Sequence, residues 1–245
     1  MIELEAVRKV YPDGHVALRE VSLVIERGTT LALLGPSGCG KTTTLKLINR
    51  LLEPSSGHVR IDGRDSLDVD PIALRRGIGY VVQDAGLFPH LTALGNVEIV
   101  PRLLGWPPER RASRARELFE LVGLDFAEIA GRYPSQLSGG QRQRVGLARA
   151  LAADPPILLM DEPFGALDPI TRRRLREEFV ALKKRLRKTV VLVTHDVEEA
   201  FQLAERVAVM DGGAVVQLGT PDEIRAAPAS PFVADFVGDG TSGTR

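Results

Sequence analysis

Hydrophobic and polar positions change rhythm twice along this chain. The segment IELEAVRKVY alternates apolar and polar residues, and HVALREVSLVIERG does so in part, the period-two pattern of half-buried strands. TTLALLG is a short apolar run closed by glycine, the pattern of a buried strand. PSGCGKTTTLKLINRLL follows it and places Leu45, Ile48 and Leu52 on one helical face. SGHVRIDGRD predicts another short strand with a turn. From about Leu91 to Ala153 the strand signals fade, and ERRASRARELFELVGL and GGQRQRVGLARALA predict helices. Strand and helix then alternate again: strand PILLMDEP, a helix from Pro169 to Lys188, strand TVVLVTHD, helix VEEAFQLAE and strand RVAVMDGG. A short helix is expected from about Ala226 and a loose tail from Gly238. Strands alternating with helices predict an α/β sheet with parallel strands. The helical middle then reads as an insertion between two parts of one sheet.

Composition narrows this picture only a little. The 245 residues suit one large domain or two small ones. Apolar residues make up 44% and charged residues 26%, enough for a full core under a charged surface. The formal net charge is zero, so no global excess of positive charge argues for nucleic acid. A single cysteine, Cys39, excludes an internal disulfide. The start lacks the apolar core of a signal peptide, and the longest apolar runs fall far short of the ~20 residues that span a bilayer. A soluble, cytosolic chain is expected, serving any membrane through a partner.

GPSGCGKT, Gly35 to Thr42, fits the phosphate-loop pattern G-x-x-x-x-G-K-[ST] in full, between a predicted buried strand and a helix. Glycines permit tight curvature, so successive N–H groups can point at one anion. The helix adds its positive N-terminal end. Gly35, Ser37, Gly38, Cys39, Gly40, Lys41, Thr42 and Thr43 are the candidate nucleotide-binding residues here. Lys41 would reach the β- and γ-phosphates, and Thr42 would place a hydroxyl on Mg²⁺. Cys39 reads as a small backbone donor rather than a reactive thiol.

Asp161 and Glu162 end the apolar run ILLM, where a parallel sheet faces a nucleotide crevice. Asp161 is the candidate Mg²⁺ ligand. Glu162 is the candidate general base, orienting water against the γ-phosphate.

The phosphate loop, LSGGQ (137–141) and ILLMDEP together resemble the ATP-binding subunits of ABC transporters, over about Ile2 to Gly238. The resemblance implies a P-loop NTPase core of the RecA-like kind, with an N-terminal antiparallel β subdomain and an inserted α-helical signature subdomain. It implies one ATPase domain over 1–238. Its catalytic core and β subdomain would span 1–90 and 154–225, its helical subdomain 91–153, and a flexible tail 239–245. Tyr11 looks like the aromatic that stacks on adenine. Gln83 in YVVQDAGLFPHLT looks like the glutamine that links Mg²⁺ to the permease interface. Asp168 in GALD looks like the D-loop acid, and His195 in VTHD like the switch histidine at the γ-phosphate. Ser138, Gly139, Gly140 and Gln141 would cover the γ-phosphate held by a second copy, so the implied assembly is a homodimer with ATP at its interface.

Lys41 and Asp161 lie 120 positions apart with no heptad array between them, unlike the coiled-coil ATPases that share these motifs. One cassette without fused membrane spans resembles an importer subunit on the cytoplasmic face of the membrane. Its implied partners are permease subunits and, indirectly, an extracytoplasmic solute-binding protein. KLINRLLEPSSGHVRIDG, LRRGIGYVVQDAGLFPHLT and MDEPFGALDPITR are most similar to importers of glycine betaine, choline and carnitine. Amino acids, sulfonates or sugars are the alternative cargo. The end at Arg245 falls too early for the regulatory pair that many such cassettes carry. The basic helix RRRLREEFVALKKRLRK buries Leu175, Phe179, Leu182 and Leu186 on one face. Its charges mostly occupy the other, mixed with Glu177 and Glu178, which reads as a solvated face rather than a nucleic-acid surface.

Overall fold

Alternation at the start of the chain becomes strand β1 (Ile2–Val10) in the computed structural model, which describes residues 1–165 and 167–239. β2 (Val16–Ile25) pairs antiparallel along one edge of β1, and β4 (Ser56–Ile61) along the other. β5 (Arg64–Asp65) completes a four-stranded sheet in the order β2-β1-β4-β5. Ile2, Leu4, Val7, Leu18, Val21, Leu23 and Ile25 are buried. Burial alternates with a period of two except between Leu4 and Val7 and between Leu18 and Val21, where the β1–β2 register shifts.

The apolar run behaves differently. All five residues of β3 (Thr30–Leu34) are buried. β3 lies parallel to β8 (Thr189–Thr194) on one side and to β9 (Arg206–Asp211) on the other. β10 (Ala214–Gly219) closes this edge antiparallel to β9. A strand flanked by strands on both edges and covered on its faces has no polar side to show, which is why its sequence does not alternate. Helix α1 (Lys41–Ile48) follows β3, and α8 (Val197–Leu203) follows β8. α9 (Pro221–Ala226) and α10 (Pro231–Asp239) close the described chain. Ala32, Leu34, Val207 and Val209 from the strands pack with Val197 and Ala200 of α8, Ile224 of α9, and Val233 and Val237 of α10. These elements form one compact unit, Met1–Arg75 together with the chain from Arg187.

Two expectations need correcting here. Leu52 does not share the α1 face with Leu45 and Ile48, because the helix ends at Ile48 and Arg50 turns into the left-handed region at φ 51°. β10 and α9 were not expected from the sequence pattern. α9 is started by Thr220, whose hydroxyl accepts from Glu223 N while the Glu223 carboxylate accepts from Thr220 N. The tail expected from Gly238 is helical at its start, because α10 runs through Asp239, and residues 240–245 lie outside the described residues. The short α2 (Pro71–Arg76) buries none of its residues.

The second compact unit spans Arg76–Leu186. β6 (Ile78–Val81) lies parallel to β7 (Ile157–Asp161), with Tyr80 opposite Leu159. Between them run α3 (Ala93–Leu103), α4 (Pro108–Leu121), α5 (Phe126–Ile129) and α6 (Gly139–Leu151). Val97, Ala115, Leu118, Phe119, Ile129, Val145 and Ala148 are buried. The ring of Phe119 meets Phe126 edge-on at 5.3 Å. The Thr92 hydroxyl caps α3 by accepting from Gly95 N, and Asp125 caps α5. α7 (Pro169–Leu186) buries Leu175, Phe179 and Leu182 as expected, but Leu186 is only half-buried because the helix stops there, two residues short of the expected end, where Arg187 takes φ 48°. Among the described residues, no helix is long and apolar enough to cross a membrane.

Candidate functional site

The loop after β3 curls around its own lysine. Lys41 Nζ donates to the Gly35 carbonyl at 2.7 Å and the Pro36 carbonyl at 2.8 Å, and lies 3.8 Å from Cys39 Sγ. This lysine is 5% exposed, so the curl holds a buried positive charge on backbone oxygens. Only glycine fits at two points of the curl. A Cβ on Gly35 would lie 2.2 Å from the Met210 carbonyl oxygen, and one on Gly40 would strike Leu18 at 2.5 Å. Gly40 has φ 104° and caps α1 without a side chain, so no side-chain oxygen of the cap takes up the donors of the first helical turn. Buried charge, curled backbone and an uncapped helix start together make an anion site. Cys39 is buried, and burial pushes its thiol up against the opposing pull of Lys41, away from thiolate chemistry. Ser37 and Gly38 are exposed at the loop tip, and Thr42 is half-buried.

Tyr11 follows β1 in a turn closed by Tyr11 N donating to the His15 carbonyl at 2.9 Å. Its hydroxyl lies 3.2 Å from Thr43 Oγ1, which ties this turn to the first turn of α1. The His15 ring stacks on Tyr11 at 6.2 Å. His195 is exposed directly after β8, whose last residue, Thr194, pairs with Leu34 just before Gly35. The structure therefore gathers Tyr11, the phosphate-loop residues and His195 within the first unit.

The second unit gathers the remaining candidates around α6. Ser138 starts this helix with a reciprocal cap. Its hydroxyl accepts from Gln141 N at 3.2 Å, and Gln141 Oε1 accepts from Ser138 N at 2.9 Å. The sequence pattern assigns Ser138 to a phosphate. In this structure its oxygen serves the helix, and its hydroxyl hydrogen remains a donor. Gly139 and Gly140 form the first turn of the helix. Asp161 is the last residue of β7 and is 7% exposed. Glu162 follows at φ 44°, a left-handed conformation that costs a non-glycine residue roughly 1 kcal/mol. Gln83 is exposed two residues beyond β6, before Asp84, Ala85 and Gly86 at φ 61°, 61° and 52°. Asp168 caps α7 by accepting from Thr171 N at 3.0 Å, and hydrogen bonds from Thr171 hold its carboxyl below the usual range.

Residues 18–165 match the ABC transporter family. The chain belongs to that family. The glycine betaine/carnitine/choline transport ATP-binding protein OpuCA of Bacillus subtilis is 56% identical over 238 residues, 97% of this chain and 62% of OpuCA. The cassette thus spans less than two thirds of that relative's length. The glycine betaine uptake system ATP-binding protein YehX of Escherichia coli is 47% identical over 245 residues, all of this chain and 79% of YehX. Among solved structures, the dimeric ATP-binding cassette MJ0796 in a post-hydrolysis state, bound to ADP and Pi, superposes with a TM-score of 0.80. It is 40% identical and covers 90% of this chain and 99% of that one. The fold is that of an ABC ATPase cassette, α/β with an antiparallel sheet and a helical insertion.

Three residues of the cassette escape a reading of the sequence. Gln143 is 8% exposed, and its side-chain amide donates to the carbonyl of Pro163, the residue after Glu162. Its sequence signal is a glutamine on the buried stripe of α6, three residues before Gly146. Arg149 donates to the Ala85 and Gly86 carbonyls at 2.7 Å each and so holds the turn after Gln83. Burial, and then the Asp161 carboxylate, push the Tyr80 phenol well above its ordinary value, and no local pattern in the sequence announces that proximity. α6 therefore carries LSGGQ at its start, reaches the turn after Glu162 from its middle and holds the turn after Gln83 from its end.

Proposed function

We propose that this chain is the ATP-hydrolysing subunit of an ABC importer, acting as a homodimer on membrane-embedded permease subunits. The observation that carries the reading is the loop of Gly35 to Thr42. It combines a buried ammonium held by carbonyls with a helix start that no side chain caps. An anionic phosphate would set a negative charge beside Lys41 and accept from backbone N–H groups of the loop. We read 1–238 as one ATPase domain, with 91–153 as its helical part.

Within it Tyr11 stacks on adenine. Gly35, Ser37, Gly38, Cys39, Gly40, Lys41, Thr42 and Thr43 bind the phosphates. Thr42, Gln83 and Asp161 offer hydroxyl, amide and carboxylate oxygens, the donor type that a hard cation such as Mg²⁺ takes. Mg²⁺, when bound, neutralises charge on the transferring phosphoryl group. Glu162 orients and deprotonates the attacking water, and His195 hydrogen-bonds the γ-phosphate. Ser138 to Gln141 of one copy close over the nucleotide of the other, with Asp168 nearby at that interface.

We infer a quaternary-amine osmoprotectant as cargo, such as glycine betaine, choline or carnitine. The names of OpuCA and YehX support this. An extracytoplasmic binding protein would deliver the solute. The test is uptake of labelled solutes by cells expressing the chain with its neighbouring permease and binding-protein genes. Uptake of quaternary amines that is lost with Lys41→Ala supports the reading. Uptake of amino acids, sulfonates or sugars instead would reassign the cargo, and no ATP-dependent uptake of any solute would refute the importer.

A further inference from the structure

The second unit holds a cavity that the proposed ATPase chemistry does not use. It encloses about 290 Å³ among residues of β6, α4, α6, β7 and α7, near the lower end of small-ligand pockets. Leu147, Met160, Phe164, Leu175, Phe179 and Leu182 supply apolar wall. Phe164 meets Phe179 edge-on at 6.2 Å, an arrangement that a further aromatic ring can extend. Polar groups stand at two places. Gln143 lines the wall and is 8% exposed. Its amide N–H donates to the Pro163 carbonyl, which fixes the way the amide faces. Its Oε1 accepts no hydrogen bond among the described residues. At the rim, Arg144 at 2.6 Å and Arg174 at 3.1 Å share the Glu178 carboxylate. Arg185, also on the rim, is exposed and has no acidic partner among the described residues. These three arginines face two glutamates, Glu178 and the exposed Glu120, so the lining carries a surplus positive charge.

We infer that this cavity binds a small aromatic carboxylate that carries a hydrogen-bond donor at its far end. The ring lies among the leucines and phenylalanines, the donor meets Gln143 Oε1, and the carboxylate meets the guanidinium of Arg185. A planar fork of N–H groups suits a carboxylate better than any neutral group. A cationic ligand would add to the surplus charge, and a purely apolar one would leave the Gln143 oxygen unused. The site also touches the catalytic turn. Met160, Pro163 and Phe164 flank Asp161 and Glu162 in the chain, and Gln143 holds Pro163. A ligand on this wall therefore bears on the backbone that carries Glu162. Its effect on hydrolysis rests on the proposed role of Glu162, whereas the binding does not.

The test is an NMR titration of the full chain, labelled at its methionine methyls, with para-hydroxyphenylpropionate. The chain has three methionines. Met160 lines the cavity, while the Met210 carbonyl lies beside Gly35 of the phosphate loop. The Met160 signal should shift saturably, and those of Met1 and Met210 should stay in place. Phenylpropionate, which lacks the hydroxyl, should bind about fivefold more weakly. Arg185→Gln should weaken the probe about threefold, the scale of an exposed charge pair. Ala181→Trp crowds the exposed rim and should abolish the Met160 shift with an unchanged thermal midpoint. Exchange of the Gly165 amide, which donates to the Glu162 carbonyl, should slow when the probe is bound. No saturable Met160 shift, a shift at Met210 alone, or a Met160 shift that survives Ala181→Trp would overturn the site. Undiminished affinity in Arg185→Gln would overturn the carboxylate assignment. At saturating probe, kcat should change at least twofold with ATP affinity unchanged. Unchanged kcat beside slowed Gly165 exchange would overturn the link to hydrolysis alone, and normal turnover of Glu162→Gln would instead remove the base role beneath it.

Discussion

At the scale of single residues, chemistry and backbone geometry meet at Glu162. A left-handed backbone at φ 44° is an unusual place for a glutamate, and strain of this kind persists where the surroundings enforce it. Gly165 N donates to the Glu162 carbonyl at 3.1 Å, and Gln143 holds the next residue, so the turn is fixed from both sides. Glu162→Gln preserves size and backbone. It should leave ATP binding intact and lower kcat by roughly 10²-fold or more, measured as phosphate release beside equilibrium binding. Normal turnover would remove the base assignment. Lys41→Ala removes charge-assisted hydrogen bonds worth about 1.5–3 kcal/mol each. ATP affinity should fall at least tenfold by isothermal titration. Undiminished affinity would contradict the phosphate-loop reading. Motif spacing alone makes Lys41, Asp161 and Glu162 legible. Tyr80 is not legible that way, because its proximity to Asp161 depends on which residue of another strand stands opposite it.

At the scale of elements, α6 links candidate segments that lie far apart in the sequence. Gln143→Leu would leave the Pro163 carbonyl without its buried donor, at a cost of about 1–3 kcal/mol. Thermal unfolding should show a lowered midpoint, and phosphate release should fall with ATP affinity little changed. A wild-type midpoint would mean that water replaces the amide. The helix caps make a second prediction. Asp168 caps α7 and Glu223 caps α9, and hydrogen bonds from Thr171 and Thr220 hold both carboxyls below their ordinary range. Folding therefore favours their charged forms. The stabilisation is complete above the ordinary carboxylate range and is lost as pH falls through the depressed values. Amide exchange at Thr171 and Thr220, whose N–H groups donate to these carboxylates, should speed up in that acid window in the native chain. It should be pH-insensitive there, beyond intrinsic exchange, in Asp168→Asn and Glu223→Gln. Helices such as α7 are readable from spacing alone. β10 and α9 are not, because the apolar residues of β10 stay half-buried or exposed and α9 buries only Ile224, so neither shows the pattern of a covered face.

At the scale of the whole molecule, the proposed function requires two copies. ATP shifts the pair toward closure only through a difference in affinity for the closed and open states. Ser138→Arg places a bulky cation at an exposed helix start, where it disturbs the cap but little of the core. Each chain should still bind nucleotide, while ATP-dependent dimerisation of a Glu162→Gln background should be lost in light scattering. A dimer of normal affinity would mean that LSGGQ does not face the partner's nucleotide.

The sequence by itself determined the strand and helix types apart from elements such as β10 and α9, and with them the phosphate loop, the acid pair and the family, because each rests on local periodicity or on residues close together in the chain. Only the tertiary structure decided the φ of Glu162, the register that brings Tyr80 near Asp161 and the hydrogen bond from Gln143 to Pro163. LSGGQ shows the division most clearly. Its composition announced a loop able to meet an anion, while the fold made its serine a helix cap and tied its helix to the turns after Glu162 and Gln83. The physical reason is common to all of these. Burial and pairing are set by segments distant in sequence, and no short window along the chain contains both partners.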